Sequence, residues 1–94
     1  MPLPQRTLAC GEPRLADVGR TVVLLGWAHK VRDMGGILFV DLRDRTGIVQ
    51  VVVSPELGAD VRTESCLAIV GEVKERDART KNPGLPTGDV EIVP

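Results

Sequence analysis

The sequence is poor in aromatic residues, since its 94 residues include one Phe, one Trp and no Tyr. A hydrophobic core must therefore be aliphatic, and the position of each aromatic residue is informative. Histidine and cysteine are also scarce: His29 is the only histidine, and Cys10 and Cys66 lie far apart, without CxxC or CxxH spacing. These residues match no recognisable zinc site, so we expect no metal and two reduced thiols.

Long apolar runs and a strong net charge are missing as well. Runs such as VVLL at 22–25 are far shorter than the roughly 20 residues of a membrane span, so we expect no membrane partner. The formal net charge of −1 does not mark a nucleic-acid binder, and such a function would need local clustering of the 12 Lys and Arg residues. No nucleotide-binding glycine loop or nucleophile motif occurs, so we predict no catalytic residue in this chain.

The remaining pattern indicates one all-β domain over residues 1–94. We expect a flexible lead-in at 1–10, a helical turn at 12–19 and a short helix at 55–65 between the third and fourth strands. The predicted strands cover 20–33, 35–44, 48–53, 66–77 and 89–94. Five strands with this helix and glycines at bends predict a five-stranded Greek-key barrel of the OB type, with an SH3-like barrel as the alternative.

The only phenylalanine lies in the second predicted strand, GGILFVDLRD. Alternation places Leu38, Val40 and Leu42 on one face, and Phe39 on the other face with Asp41. Because burying charges is costly, the aliphatic face should point inward and Phe39 should be exposed. In an OB barrel this strand helps to form the oligonucleotide-binding face, where stacking on an aromatic ring contributes about 1–3 kcal/mol per base.

Basic residues on neighbouring strands and loops could surround this face. The predicted cluster comprises Lys30, Arg32, Arg43, Lys74, Arg76, Arg79 and Lys81. Alternatively, these cations pair with nearby aspartates and are spread around the rim. These residues by themselves leave two hypotheses open: a free-standing single-stranded nucleic-acid-binding protein and a protein-interaction barrel.

A longer sequence pattern points to one particular family of proteins. The segment GWAHKVRDMGGILFVDLRDRTGIVQVV, followed by RD at 76–77 and TGDVEI at 87–92, resembles the N-terminal anticodon-binding domain of bacterial aspartyl-tRNA synthetases, which are class II enzymes. The resemblance runs from about Arg6 to the last residue. It implies an OB barrel that binds the anticodon loop of tRNA(Asp). One departure is that His29, Lys30 and Val31 stand where members of this family often carry consecutive arginines.

The resemblance implies a role for six residues, together with a supporting basic rim. Phe39 would stack on the middle anticodon base, a uracil, while Gln50 would hydrogen-bond the edge of that base and Arg32 would contribute nearby. Arg76 and Asn82 would lie near the third base. Glu91 would accept hydrogen bonds from the guanine or queuine at the first position. The supporting rim would comprise Lys30, Arg43, Lys74, Arg79 and Lys81.

The resemblance also implies what this chain does not do alone. None of the class II catalytic motifs is present, so aspartate activation would require a catalytic domain absent from this chain, with ATP and Mg²⁺ bound there. This domain itself would need no cofactor. We expect the isolated domain to be monomeric, the full aspartate-tRNA ligase to be a homodimer, and both to be cytoplasmic.

Overall fold

The computed structural model describes residues 8–54 and 66–94. The short helix predicted at 55–65 and most of the predicted lead-in lie outside these residues. The elements are a 3-10 helix at Leu15–Asp17 and the strands β1 (Thr21–Met34), β2 (Ile37–Asp44), β3 (Gly47–Val53), β4 (Cys66–Glu75) and β5 (Val90–Val93).

The five strands close into a barrel in the order β1-β2-β3-β5-β4, with β4 paired to β1. The β3–β5 pair is parallel and the other pairs are antiparallel. This arrangement confirms the predicted five-stranded barrel of the OB type. Among the described residues, no helix has the length and apolar character needed to cross a bilayer.

The core is aliphatic, as the scarcity of aromatic residues required. Val40 and Leu42 of β2 are fully buried, and Leu38 packs against the same cluster. Val90 and Ile92 of β5 are buried too, so the predicted inward faces of both strands are confirmed. The alternate residues, among them Phe39, Asp41 and Glu91, therefore lie on the outer sides of β2 and β5.

The length of β1 is explained by its two partners. Residues 21–27 pair with β4, while residues 27–34 pair with β2, so one strand belongs to both sides of the barrel. Gly26 lies where the partner changes, and a Cβ atom there would lie 2.4 Å from the carbonyl oxygen of Arg43. A glycine is required at this point because the two backbones approach too closely for a side chain.

The turn between β2 and β3 holds the N-terminal segment in place. The carboxylate of Asp44 accepts hydrogen bonds from the backbone N–H of Cys10 at 2.9 Å and from the N–H and hydroxyl of Thr46 at 2.8 and 2.6 Å. Burial pushes the pKa of Asp44 upward, but these hydrogen bonds outweigh it and the pKa is lowered overall. The expected flexible lead-in therefore does not include Ala9 and Cys10, which are buried.

Candidate nucleic-acid interface

One row of polar residues crosses the outer side of all five strands. Lys30 pairs in register with Asp41, Asp41 with Gln50, Gln50 with Glu91, and Glu91 with Lys74. Because paired residues on neighbouring strands have Cβ atoms about 5 Å apart, each side chain can reach the next. The row carries positive charges at its ends and two carboxylates on either side of a neutral amide.

Arg32 connects the middle of this row. Its Nη2 atom lies 3.4 Å from Oδ1 of Asp41 and 3.4 Å from Oε1 of Gln50. The Nε2 atom of Gln50 in turn donates to Oε1 of Glu91 at 3.4 Å. The amide of Gln50 is thus placed between a guanidinium group and a carboxylate.

A cavity of about 550 Å³ opens beside this row, within the size range of small-molecule sites. Its walls comprise Lys30, Arg32, Met34, Phe39, Asp41, Gln50, Arg76, Thr80, Asn82 and Leu85. The structure therefore brings together five of the six predicted binding residues. The sixth, Glu91, is connected to the cavity through its hydrogen bond with Gln50.

Phe39 lies on the outer side of β2, as predicted, but it is half-buried and not fully exposed. Its cross-strand partners are Arg32 on β1 and Val52 on β3. The alternation pattern predicted the correct face of the strand, but it did not predict that neighbouring side chains partly bury the ring. A half-buried aromatic ring in a cavity wall can stack with a planar group that enters the cavity.

Arg76 follows β4 and is only 6% exposed. Its Nε donates to the carbonyl oxygen of Val90 at 2.9 Å, and its Nη1 donates to that of Thr80 at 3.1 Å. Burial lowers the pKa of Arg76, while the nearby carboxylates of Glu91 and Asp41 act in the opposite direction. Arg76 thus fastens the 77–88 loop to β5 as well as lining the cavity.

Asn82 also lines the cavity and is exposed, in the 77–88 loop. Its Oδ1 accepts the N–H of Gly84 at 3.0 Å, and its backbone N–H donates to the carbonyl oxygen of Gly88 at 3.0 Å. A Cβ atom at Gly88 would lie 1.7 Å from the carbonyl oxygen of Asn82, so the loop can close only over a glycine. This closure presents Asn82 to the cavity.

The predicted basic cluster is only partly assembled. Lys30 lines the cavity and Lys74 ends the polar row, but Lys81 forms an ion pair with Glu75 at 2.7 Å, and this hydrogen bond raises the pKa of Lys81. Arg79 is exposed in the 77–88 loop.

Arg43 departs from the predicted cluster. It lines a separate cavity of about 230 Å³ together with Gly47 and Thr87. The cause is its position near the end of β2, two register pairs beyond Asp41. Arg43 therefore does not line the cavity beside the polar row, and its place in the basic rim stays a prediction.

Sequence reasoning missed four residues of the cavity wall: Met34, Asp41, Thr80 and Leu85. Asp41 could have been found, because alternation places it on the same face as Phe39. Thr80 and Leu85 lie in a loop without periodicity, so no local pattern marks them. Within residues 8–54 and 66–94, no group of three His, Cys, Asp or Glu residues is placed to hold a metal ion.

Comparison with known proteins identifies the class of protein to which this chain belongs. Residues 22–94 match the family of OB-fold nucleic acid binding domains of the tRNA anticodon type, and the chain belongs to this family. The relatives include the aspartate–tRNA(Asp/Asn) ligase of Phenylobacterium zucineum, 50% identical over 93 residues, which cover 94% of this chain. The aspartate–tRNA ligase of Bacillus licheniformis is also 50% identical, over 94 residues and 93% of this chain. In both cases the match spans 16% of the ligase.

Solved structures show the same barrel. An asparaginyl-tRNA synthetase from Pyrococcus horikoshii superimposes with a TM-score of 0.73 and 29% identity, covering 92% of this chain and 21% of that chain. An OBody bound to hen egg-white lysozyme superimposes with a TM-score of 0.81 and 26% identity, covering 100% of this chain and 92% of that chain. The resemblance drawn from the sequence motifs is confirmed.

Proposed function

We propose that this chain is the anticodon-binding domain of an aspartate–tRNA ligase and that it recognises the GUC anticodon of tRNA(Asp). The observation that carries the proposal is the cavity lined by both Phe39 and Gln50, with Glu91 hydrogen-bonded to Gln50. Single-stranded RNA loops are read by stacking on aromatic rings together with hydrogen bonds to base edges.

In this proposal the middle base, uracil, stacks on Phe39 and pairs with the amide of Gln50. The first base, guanine, offers two N–H donors on its Watson–Crick edge, and Glu91 offers two carboxylate acceptors. Arg76 and Asn82 also line the cavity, and in this proposal they contact the third base. Arg32 bonds to Gln50 and therefore acts at the middle position.

The phosphates of the loop would bind the cations at the edges of this surface. Lys30 and Lys74 stand at the two ends of the polar row, and Arg79 is exposed in the 77–88 loop. Neutralising phosphates releases counterions, so binding should weaken as salt is added.

Aminoacylation itself is assigned to a longer protein, because this chain spans about a sixth of its curated relatives. In that protein a separate catalytic domain would bind ATP and Mg²⁺ and form a homodimer in the cytoplasm. This chain would contribute recognition only.

Titration of labelled anticodon stem-loops tests the proposal. We expect GUC to bind more tightly than the same stem with any anticodon base changed, and Glu91→Gln to reduce discrimination at the first position by about 1–3 kcal/mol, by analogy with base-edge contacts in DNA. Equal binding of GUC and an unrelated triplet would leave only a non-specific single-stranded nucleic-acid binder. Absence of salt-sensitive RNA binding would favour a protein-interaction barrel.

A further inference from the structure

The side-chain amide of Gln50 lies between groups of opposite charge. Arg32 has only donors and contacts Oε1, while Glu91 has only acceptors when ionised and contacts Nε2. We infer that these two charges fix the orientation of the Gln50 amide, that Asp41 positions Arg32 for this purpose, and that the fixed amide makes the middle-base position select uracil over cytosine. This inference rests on the proposed function.

The reversed amide would be unfavourable at both ends. It would place the NH₂ group against the guanidinium of Arg32 and the carbonyl oxygen against the carboxylate of Glu91. Both hydrogen bonds would be lost, and each end of the amide would face a charged group of the wrong polarity. One orientation therefore dominates in the free protein.

The fixed amide still has capacity to bind a base. Each of its polar atoms makes one of these bonds, which leaves one N–H and one lone pair on the amide. Uracil presents a donor at N3 beside an acceptor at O4, whereas cytosine presents an acceptor at N3 beside a donor at N4. An amide that can flip serves either base, but a fixed amide matches only one of the two patterns in a given pose.

Asp41 is a positioning residue in this arrangement. The side chain of Arg32 is 52% exposed, so its guanidinium can turn into solvent unless something holds it. The carboxylate of Asp41, 19% exposed, lies 3.4 Å from Arg32 Nη2 and belongs to the residue paired in register with Gln50. The Asp41 carboxylate therefore holds the Arg32 guanidinium next to Oε1 of Gln50.

The test compares binding of GUC and GCC stem-loops by wild type and by Asp41→Asn. We expect the preference for uracil over cytosine to fall about three- to tenfold, the range that one net hydrogen bond supplies. GCC should gain affinity relative to GUC, because an amide that is no longer fixed can also present the reversed hydrogen-bonding pattern. Glu72→Gln, which removes an exposed carboxylate of β4 outside the cavity wall, should leave the preference unchanged.

Several results would overturn the inference. If Asp41→Asn weakens both RNAs equally and keeps the preference, Asp41 has only a structural role and the inference is wrong while the proposed function stands. If wild type binds GUC and GCC equally, the proposed function fails first. Should Asp41→Asn not fold, Arg32→Lys keeps the charge but lacks the planar fork, and an undiminished preference in that variant also refutes the inference.

Discussion

Replacing Arg76 by methionine should destabilise the barrel strongly, even though the residue lines the proposed RNA site. Methionine retains most of the aliphatic stem but removes the guanidinium, which donates to the carbonyl oxygens of Val90 and Thr80 at 2.9 and 3.1 Å. Hydrogen bonds from a charged group contribute about 1.5–3 kcal/mol each. The burial that lowers the pKa of Arg76 offsets part of this gain, because the charge is costly to desolvate.

The expected net loss is about 2–4 kcal/mol in the free energy of unfolding. That is a large part of the 5–15 kcal/mol typical of a domain, and it corresponds to a fall in Tm of roughly 10–25 °C for a chain of this size. Trp27 is the only tryptophan, so its fluorescence reports unfolding in urea without a label. Lys74→Met removes an exposed cation from β4 and should change stability by no more than about 0.5 kcal/mol.

The reasoning is refuted by a specific combination of results. Suppose that the free energy of unfolding of Arg76→Met is within about 1 kcal/mol of the wild-type value and that the variant no longer binds GUC. The two backbone hydrogen bonds then stabilise the barrel little, and Arg76 acts mainly as an RNA contact. If Arg76→Met is as stable as wild type and binds GUC as tightly, Arg76 has neither role.

Three further predictions use the same two assays. Phe39→Ala should weaken binding of the GUC stem-loop by about 5- to 150-fold, the equivalent of one stacked base, and a change below about twofold would show that the ring does not stack. Asp44→Asn should lower the free energy of unfolding by about 1–3 kcal/mol at pH 7. Because the pKa of Asp44 is lowered in the folded state, the stabilisation by its carboxylate is complete above the unfolded pKa of about 3.9 and is lost as pH falls through the folded pKa. The reasoning is contradicted if the difference in free energy of unfolding between wild type and Asp44→Asn stays constant down to about pH 2. Gly88→Ala should cost about 1–3 kcal/mol in urea unfolding, since the new Cβ would overlap the carbonyl oxygen of Asn82, and a neutral result would show that the loop relaxes freely.

The polar row shows where prediction from the sequence ends. That Phe39 and Glu91 point outward follows from alternation, since the side-chain period of a strand is two. That Glu91 reaches Gln50 depends on the parallel β3–β5 pairing, in which residues 41 positions apart become neighbours. No local pattern encodes a register between strands so far apart in the chain.

The same distinction applies to the arginines. Their number and their positions near strand ends are visible in the sequence, and the resemblance added roles by position. Only the folded barrel shows that Arg76 is buried beneath the 77–88 loop and that Arg43 faces a different cavity. Burial of a long cationic side chain depends on what closes over it, which is a property of the loop and not of the residue.

Short-range pattern, composition and motif were therefore enough to determine the class of fold, the inward and outward faces of the strands and the family. They could do so because strand periodicity, turn chemistry and an aliphatic core are local or additive properties. The joining of Arg32, Gln50 and Glu91 into one hydrogen-bonded chain was decided by the tertiary structure, because only the parallel β3–β5 pairing brings Glu91 beside the surface that β1 and β3 already share.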